Sequence, residues 1–196
     1  MMPLANSESS AVVVGVADLG IARAPTESNT PQAGPTQGSF PVSQRITTFA
    51  LGSCIGVTVF DPLLQLGGLL HFLLPQPGEH QPPVGRRFAM YASTGVPMLL
   101  QRLAEQGLAR ERAVVCVAGG ARAAQDSPLF ALGDRNRAML RRILRREGIA
   151  IAAEDTGGTL PRTMTLELDT GAVTVRTRGG ERALWVPAAS PGGAAD

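Results

Sequence analysis

The sequence predicts an α/β (α+β) sandwich: a mixed, largely antiparallel sheet with two main helices in one domain. Three observations point there. Apolar, β-branched runs recur between Gly, Pro and Asp turn signals. Two longer stretches carry apolar residues at helical spacing, with capping residues near their ends. Helices do not alternate with the strands one by one, which argues against a doubly wound parallel sheet. At 196 residues and 44% hydrophobic content the chain can bury a core of ordinary size.

The elements follow in order. Residues 1–10 are polar and expected to be disordered, and the domain proper is expected over 11–178. Ala11 to Val16 (AVVVGV) reads as the first strand. The stretch 24–41 is rich in Pro, Ser, Thr and Gly, buries little, and reads as a mobile insertion. Gln44 to Phe49 is a short strand leading into Gly52-Ser53-Cys54. Ile55 to Phe60 is a strand, Asp61-Pro62 a turn, and Gly67 to Leu74 the returning strand. Pro75 to Gly85 is a loop.

A helix is expected from Thr94, as its cap, to Gln106, with Val96, Leu99, Leu100 and Leu103 on one face and Gly107 at the exit. Ala113 to Ala118 is a buried strand. A second helix is expected from Asp134 to Glu147, with Met139, Leu140, Ile143 and Leu144 as its apolar stripe. Ile149 to Ala153 is a strand, and Thr163–Leu168 with Ala172–Arg176 form a hairpin around Asp169-Thr170-Gly171. The tail, 179–196, is expected to be mostly disordered apart from Leu184-Trp185-Val186.

Charge and composition exclude several classes. All 18 basic residues are Arg, but the net charge of +2 is too small to argue for a nucleic-acid partner, and none is expected. No apolar run approaches the roughly 18 residues of a membrane span, and the N-terminus lacks a secretory pattern. The expectation is a cytoplasmic protein with free thiols and no membrane insertion. No His/Cys/Asp set has metal-ligand spacing and no Gly-rich run matches a phosphate loop, so no metal and no cofactor is expected. The pairs Gly67-Gly68, Gly119-Gly120 and Gly157-Gly158 read as turns.

Chemistry concentrates at Cys54. Cys116 lies inside an apolar strand and is expected to pack as a small hydrophobe. Cys54 instead follows a Gly-Ser pair at the mouth of a strand, with His71 one hairpin later. An imidazole that takes the thiol proton makes a nucleophile, a thiolate–imidazolium pair able to attack a carbonyl carbon. A two-residue turn at Pro62-Leu63 would pair Asp61 with Leu64 and set Cys54 directly opposite His71, with Cβ atoms about 4.5–5.5 Å apart. Backbone N–H groups of the Gly52-Ser53-Cys54 turn could hold the developing oxyanion. Thr48, just before the turn, is the candidate to fix the imidazole.

These residues resemble the CheD family of chemoreceptor glutamine deamidases. The resemblance rests on Thr48-x5-Cys54 within T-x-x-LGSC, on Asp61-Pro62, Gly67-Gly68 and His71-Phe72-x-Leu74-Pro75. Tyr91-Ala92, Gly119-Gly120-Ala121, Leu132-Gly133-Asp134-Arg135-Asn136, and Glu154-Asp155-Thr156-Gly157-Gly158 with Arg162 extend it across residues 12 to 176. It implies a sandwich related to bacterial toxin deamidases and a Cys–His–Thr triad at Cys54, His71 and Thr48. It further implies conversion of selected Gln to Glu in methyl-accepting chemotaxis receptors, and a CheC-type CheY-phosphate phosphatase as a second partner. The sequence departs from the family where Ala50 replaces the usual Gly, at Met90–Ser93 and Arg122–Gln125, and where Gly157-Gly158-Thr159-Leu160-Pro161-Arg162 stands for Gly-Gly-x-x-Gly-Arg. A binding module regulating such a phosphatase, with little catalysis of its own, is the alternative reading. Six Arg between Arg135 and Arg146 form either a solvated helix face or a landing strip for an acidic receptor surface.

Overall fold

The computed structural model describes residues 11–25, 44–78, 85–122 and 131–188. The N-terminal ten residues, most of the 24–41 insertion, the Ala123–Gln125 end of the altered Gly-Gly-Ala stretch and the last eight residues lie outside that set. The strands are β1 (Ala11–Val14), β2 (Asp18–Arg23), β3 (Arg45–Leu51), β4 (Ile55–Asp61) and β5 (Leu66–Phe72). A 3-10 turn (Gly85–Met90) leads into α1 (Ala92–Ala104), and β6 (Val114–Gly119), α2 (Leu132–Arg146) and β7 (Ile151–Thr156) follow. The chain closes with β8 (Arg162–Glu167), β9 (Val173–Thr177) and β10 (Gly180–Trp185).

The strands form two five-stranded sheets, in the orders β1-β3-β8-β9-β10 and β2-β5-β4-β6-β7. The β1–β3 and β6–β7 pairs are parallel and the rest antiparallel. The mixed, largely antiparallel α/β sandwich read from the sequence is therefore the architecture, built on two sheets rather than one. Strand alternation sorts the cores. Ile55, Val57 and Val59 of β4, with Leu66, Leu70 and Phe72 of β5, pack under α1 and α2. Phe60 and Leu69 face the other sheet, against Ile46, Leu51, Met164 and Leu166. The layers run helices, second sheet, first sheet, and β4 and β5 are buried along their whole length.

Gly67-Gly68 is not a turn but lies near the start of β5, where a Cβ on Gly67 would lie 2.5 Å from Leu168 Cδ2 and one on Gly68 2.6 Å from Leu99 Cδ1. The pair lets both neighbouring layers approach. Gly119 ends β6 with Gly120 just past it, and Gly157-Gly158 follows β7, all four with positive φ.

The β4–β5 connection also differs from expectation. Asp61 pairs with Leu66 rather than Leu64, so four residues form the turn. The Asp61 carboxylate accepts N–H bonds from Leu63 and Leu64 and a bidentate pair from Arg112. Burial alone would raise this carboxyl, but those donors hold it below its ordinary value. The longer turn shifts the register, and His71 faces Gly56 instead of Cys54.

Other boundaries move for tertiary reasons. Helix α1 begins at Ala92, since Ala92 N–H bonds to Leu74 O and the chain enters from a Leu74–Tyr91 bridge. Thr94 does not cap it and instead donates to Phe88 O. Helix α2 starts two residues before the expected Asp134. Strand β2 was not expected at all. The segment from Gly180 to Trp185 forms β10, paired antiparallel with β9, where the sequence predicts order only at Leu184-Trp185-Val186.

Candidate active site

The site lies where the chain crosses from one sheet to the other. Strand β3 belongs to the first sheet, β4 to the second, and residues 52–54 make the crossing. The β3–β8 register shifts between Thr48 and Leu51, and Ala50 takes φ +57°. Gly52 N–H then bonds to Ala50 O at 2.9 Å. That bond engages the Gly52 N–H in shaping the turn.

Thr48 and His71 meet across the seam between the sheets. Both are fully buried, and Thr48 Oγ1 lies 2.8 Å from His71 Nδ1. The same hydroxyl donates to Val14 O at 2.8 Å. A threonine hydroxyl has one proton, and a carbonyl can only accept it, so Oγ1 must accept the Nδ1–H of the ring. This fixes the tautomer, with the lone pair on Nε2. Nε2 is buried and has no hydrogen-bond partner among the described residues.

Cys54 is half-buried and carries a free thiol, one residue before β4. Gly56 pairs with His71 and the ladder ends at Ile55–Phe72, so Cys54 lies two residues before the partner of His71 and not directly across from it. Burial raises its thiol above the ordinary value, partly offset by its own backbone N–H. Burial lowers His71 to about 4. Both shifts favour the neutral forms. The standing thiolate–imidazolium pair expected from sequence is thus disfavoured at rest. Cys116 is buried in β6 and pushed up to about 11 by burial, as befits an inert core thiol.

The turn is held by three consecutive carbonyls. Gly52 O accepts from Ala121 N–H and Cys54 O from Gly120 N–H, both at 2.8 Å. Ser53 O accepts from the Asn136 side chain at 3.0 Å, and the same Nδ2 donates to Leu73 O at 2.7 Å. Asn136 is fully buried on the stripe of α2 that continues through Leu140 and Ile143. Gly133 lets the start of α2 reach this place, because a Cβ there would lie 2.5 Å from Gly120 O. The sequence places Asn136 in the Leu132–Asn136 motif but assigns it no role. A polar residue four positions before Leu140, on the buried face, was the available signal.

Asp134 pairs with Arg122 and Arg137, and Asp155 with Arg162 and Arg182. The second set joins β7 of one sheet to β8 and β10 of the other, so Arg162 and Asp155 are structural ties.

Fold and site define an α/β sandwich with a thiol-bearing turn and a threonine-anchored imidazole at the seam of its sheets. The family follows from comparison. The family model described as CheD chemotactic sensory transduction matches residues 73–177. A protein of Solibacter usitatus named "Probable chemoreceptor glutamine deamidase CheD" is 36% identical over 174 residues, covering 88% of this chain and 92% of that relative. A relative of the same name from Archaeoglobus fulgidus (39% over 154 residues; 76% of this chain, 94% of the relative) and "Probable chemoreceptor glutamine deamidase CheD 2" of Anaeromyxobacter dehalogenans (42% over 132; 67% and 83%) agree. The chain belongs to the CheD family.

Proposed function

We propose that this chain hydrolyses the carboxamide of glutamine side chains in chemoreceptors, giving glutamate and ammonia. Cys54 is the nucleophile, His71 the base and then the acid, and Thr48 the residue that orients the imidazole. The names of the relatives support the substrate. The observation that carries the mechanism is the 2.8 Å Thr48–His71 contact, which leaves Nε2 without a partner among the described residues, at the seam where the Cys54 turn begins.

The chemistry follows from neutral partners. As Sγ attacks the carboxamide carbon, the thiol proton passes to Nε2 and the carbonyl π pair moves to oxygen. The Ser53 and Cys54 N–H groups hold that oxyanion. The C–N bond then breaks, and the imidazolium returns its proton to the departing nitrogen, which leaves as ammonia. Water attacks the thioester, passes a proton to the same imidazole, and releases glutamate with the thiol restored. We place this reaction in the cytoplasm, with a CheC-type phosphatase as a further partner.

Mass spectrometry of receptor peptides after incubation tests this reading, with Gln-to-Glu conversion as the expected product. Cys54→Ala and His71→Ala proteins serve as controls and should release no ammonia from receptor. Equal ammonia from wild type and Cys54→Ala would overturn the catalytic reading and leave the phosphatase-regulating module in its place.

A further inference from the structure

Three successive carbonyls at 52, 53 and 54 all point into the protein, each with a donor. A trans peptide unit is planar, with N–H directed opposite to C=O. The N–H groups of Ser53 and Cys54 must therefore face away from those donors, and among the described residues neither has an acceptor on another residue. The Cys54 N–H turns toward its own sulfur. Two of the three pins are the backbone amides of Gly120 and Ala121, just past β6. The third, on the peptide that bears the Cys54 N–H, is one side chain: Asn136.

We propose that Asn136 is a positioning residue for the oxyanion site, orienting the Ser53–Cys54 peptide so that the Cys54 N–H meets the reacting oxygen. This rests on the function proposed above. The same Nδ2 holds Leu73 O, two residues past His71, so one amide group ties the nucleophile's turn to the strand that carries the base. Without it the Ser53–Cys54 peptide can rotate, and a rotated peptide presents a carbonyl where the oxyanion needs a donor. A buried amide at this place is otherwise costly, because its Oδ1 has no partner among the described residues.

The test uses Asn136→Ala and the wild type, compared per folded molecule by circular dichroism. Loss of one oxyanion donor lowers kcat by about 10², and that is the expected fall on receptor, with KM changed less than about threefold. Alkylation of Cys54 by iodoacetamide displaces iodide and develops no oxyanion, so its rate should stay within about threefold of wild type. An unchanged kcat, or an equal fall in alkylation and kcat, would overturn the proposal.

Should Asn136→Ala not fold, the wild type carries the test. A short aldehyde adds to the thiol: the S–C bond forms, the carbonyl pair moves to oxygen, and the thiol proton passes to the imidazole. Nuclear magnetic resonance should then show the Cys54 amide proton shifted downfield and the Asn136 side-chain protons exchanging slowly. An unshifted Cys54 amide overturns the proposal. The downfield shift with slow Asn136 exchange, in a wild type that makes no glutamate, would support this role while removing the proposed substrate.

Discussion

His71 is the residue on which pH acts most directly. Its imidazole sits at about 4 in the folded chain because burial disfavours the cation, against about 6.5 when exposed. The unfolded chain therefore binds the proton more readily, and the fold loses stability as pH drops from about 6.5 toward 4. Below 4 the loss levels off, at about 3 kcal/mol at most. Urea unfolding midpoints between pH 7 and pH 4 should show this slope, and His71→Asn, which has no titrating ring, should lack it. Ala50 offers a second test. Its φ of +57° costs an L-residue about 1–2 kcal/mol, while glycine costs about 0.5–1 kcal/mol in entropy. Ala50→Gly should therefore raise stability by about 0.5–1 kcal/mol in thermal unfolding, with the Thr48–His71 contact intact. Thr48, His71 and Cys54 were legible as residue types that do this chemistry. The neutrality of the pair was not, because it comes from burial between sheets, which spacing does not encode.

At the scale of elements, local pattern gave the strands and helix faces, and long-range contacts moved their ends. The buried stripe of α1, Val96 through Leu103, reads directly from its period. The β4–β5 turn does not, since Arg112, far along the chain, helps hold Asp61 in the longer form. The Gly67-Gly68 pair was visible but not its reason, which is the approach of two other layers. Gly68→Ala would press a methyl against Leu99 and should cost about 1–3 kcal/mol, measured as a lower urea midpoint with unchanged slope. Helix α2 carries exposed Arg141, Arg142 and Arg145 opposite its buried stripe. Arg141 pairs with Glu154 across a 540 Å³ cleft that Arg145 and Leu144 also line. Charge reversal at these three arginines should weaken receptor binding and flatten its salt dependence. Unchanged binding by fluorescence titration would reduce the stripe to a solvated face.

At the scale of the whole molecule, the site exists because two sheets stack and the chain passes between them at residues 52–54. Thr48 comes from one sheet and His71 from the other, so no single hairpin builds the pair. The sequence showed strands and helices but not which strands share a sheet, since both sheets draw on strands from both halves of the chain. The same gap hid β10. Its residues are mostly exposed, and it gains order by pairing with β9 and through Arg182 on Asp155. Leu184 and Trp185 pack against the core between the sheets. Ending the chain after Arg178 would strip the edge from β9 and remove two apolar side chains and one tie between sheets. Partial burial of those side chains puts the loss at about 2–4 kcal/mol. The truncated protein should melt earlier, yet keep kcat per folded molecule within about twofold, because Thr48, Cys54, His71 and Asn136 all lie on other elements. Lost turnover at unchanged stability would instead tie β10 to the site.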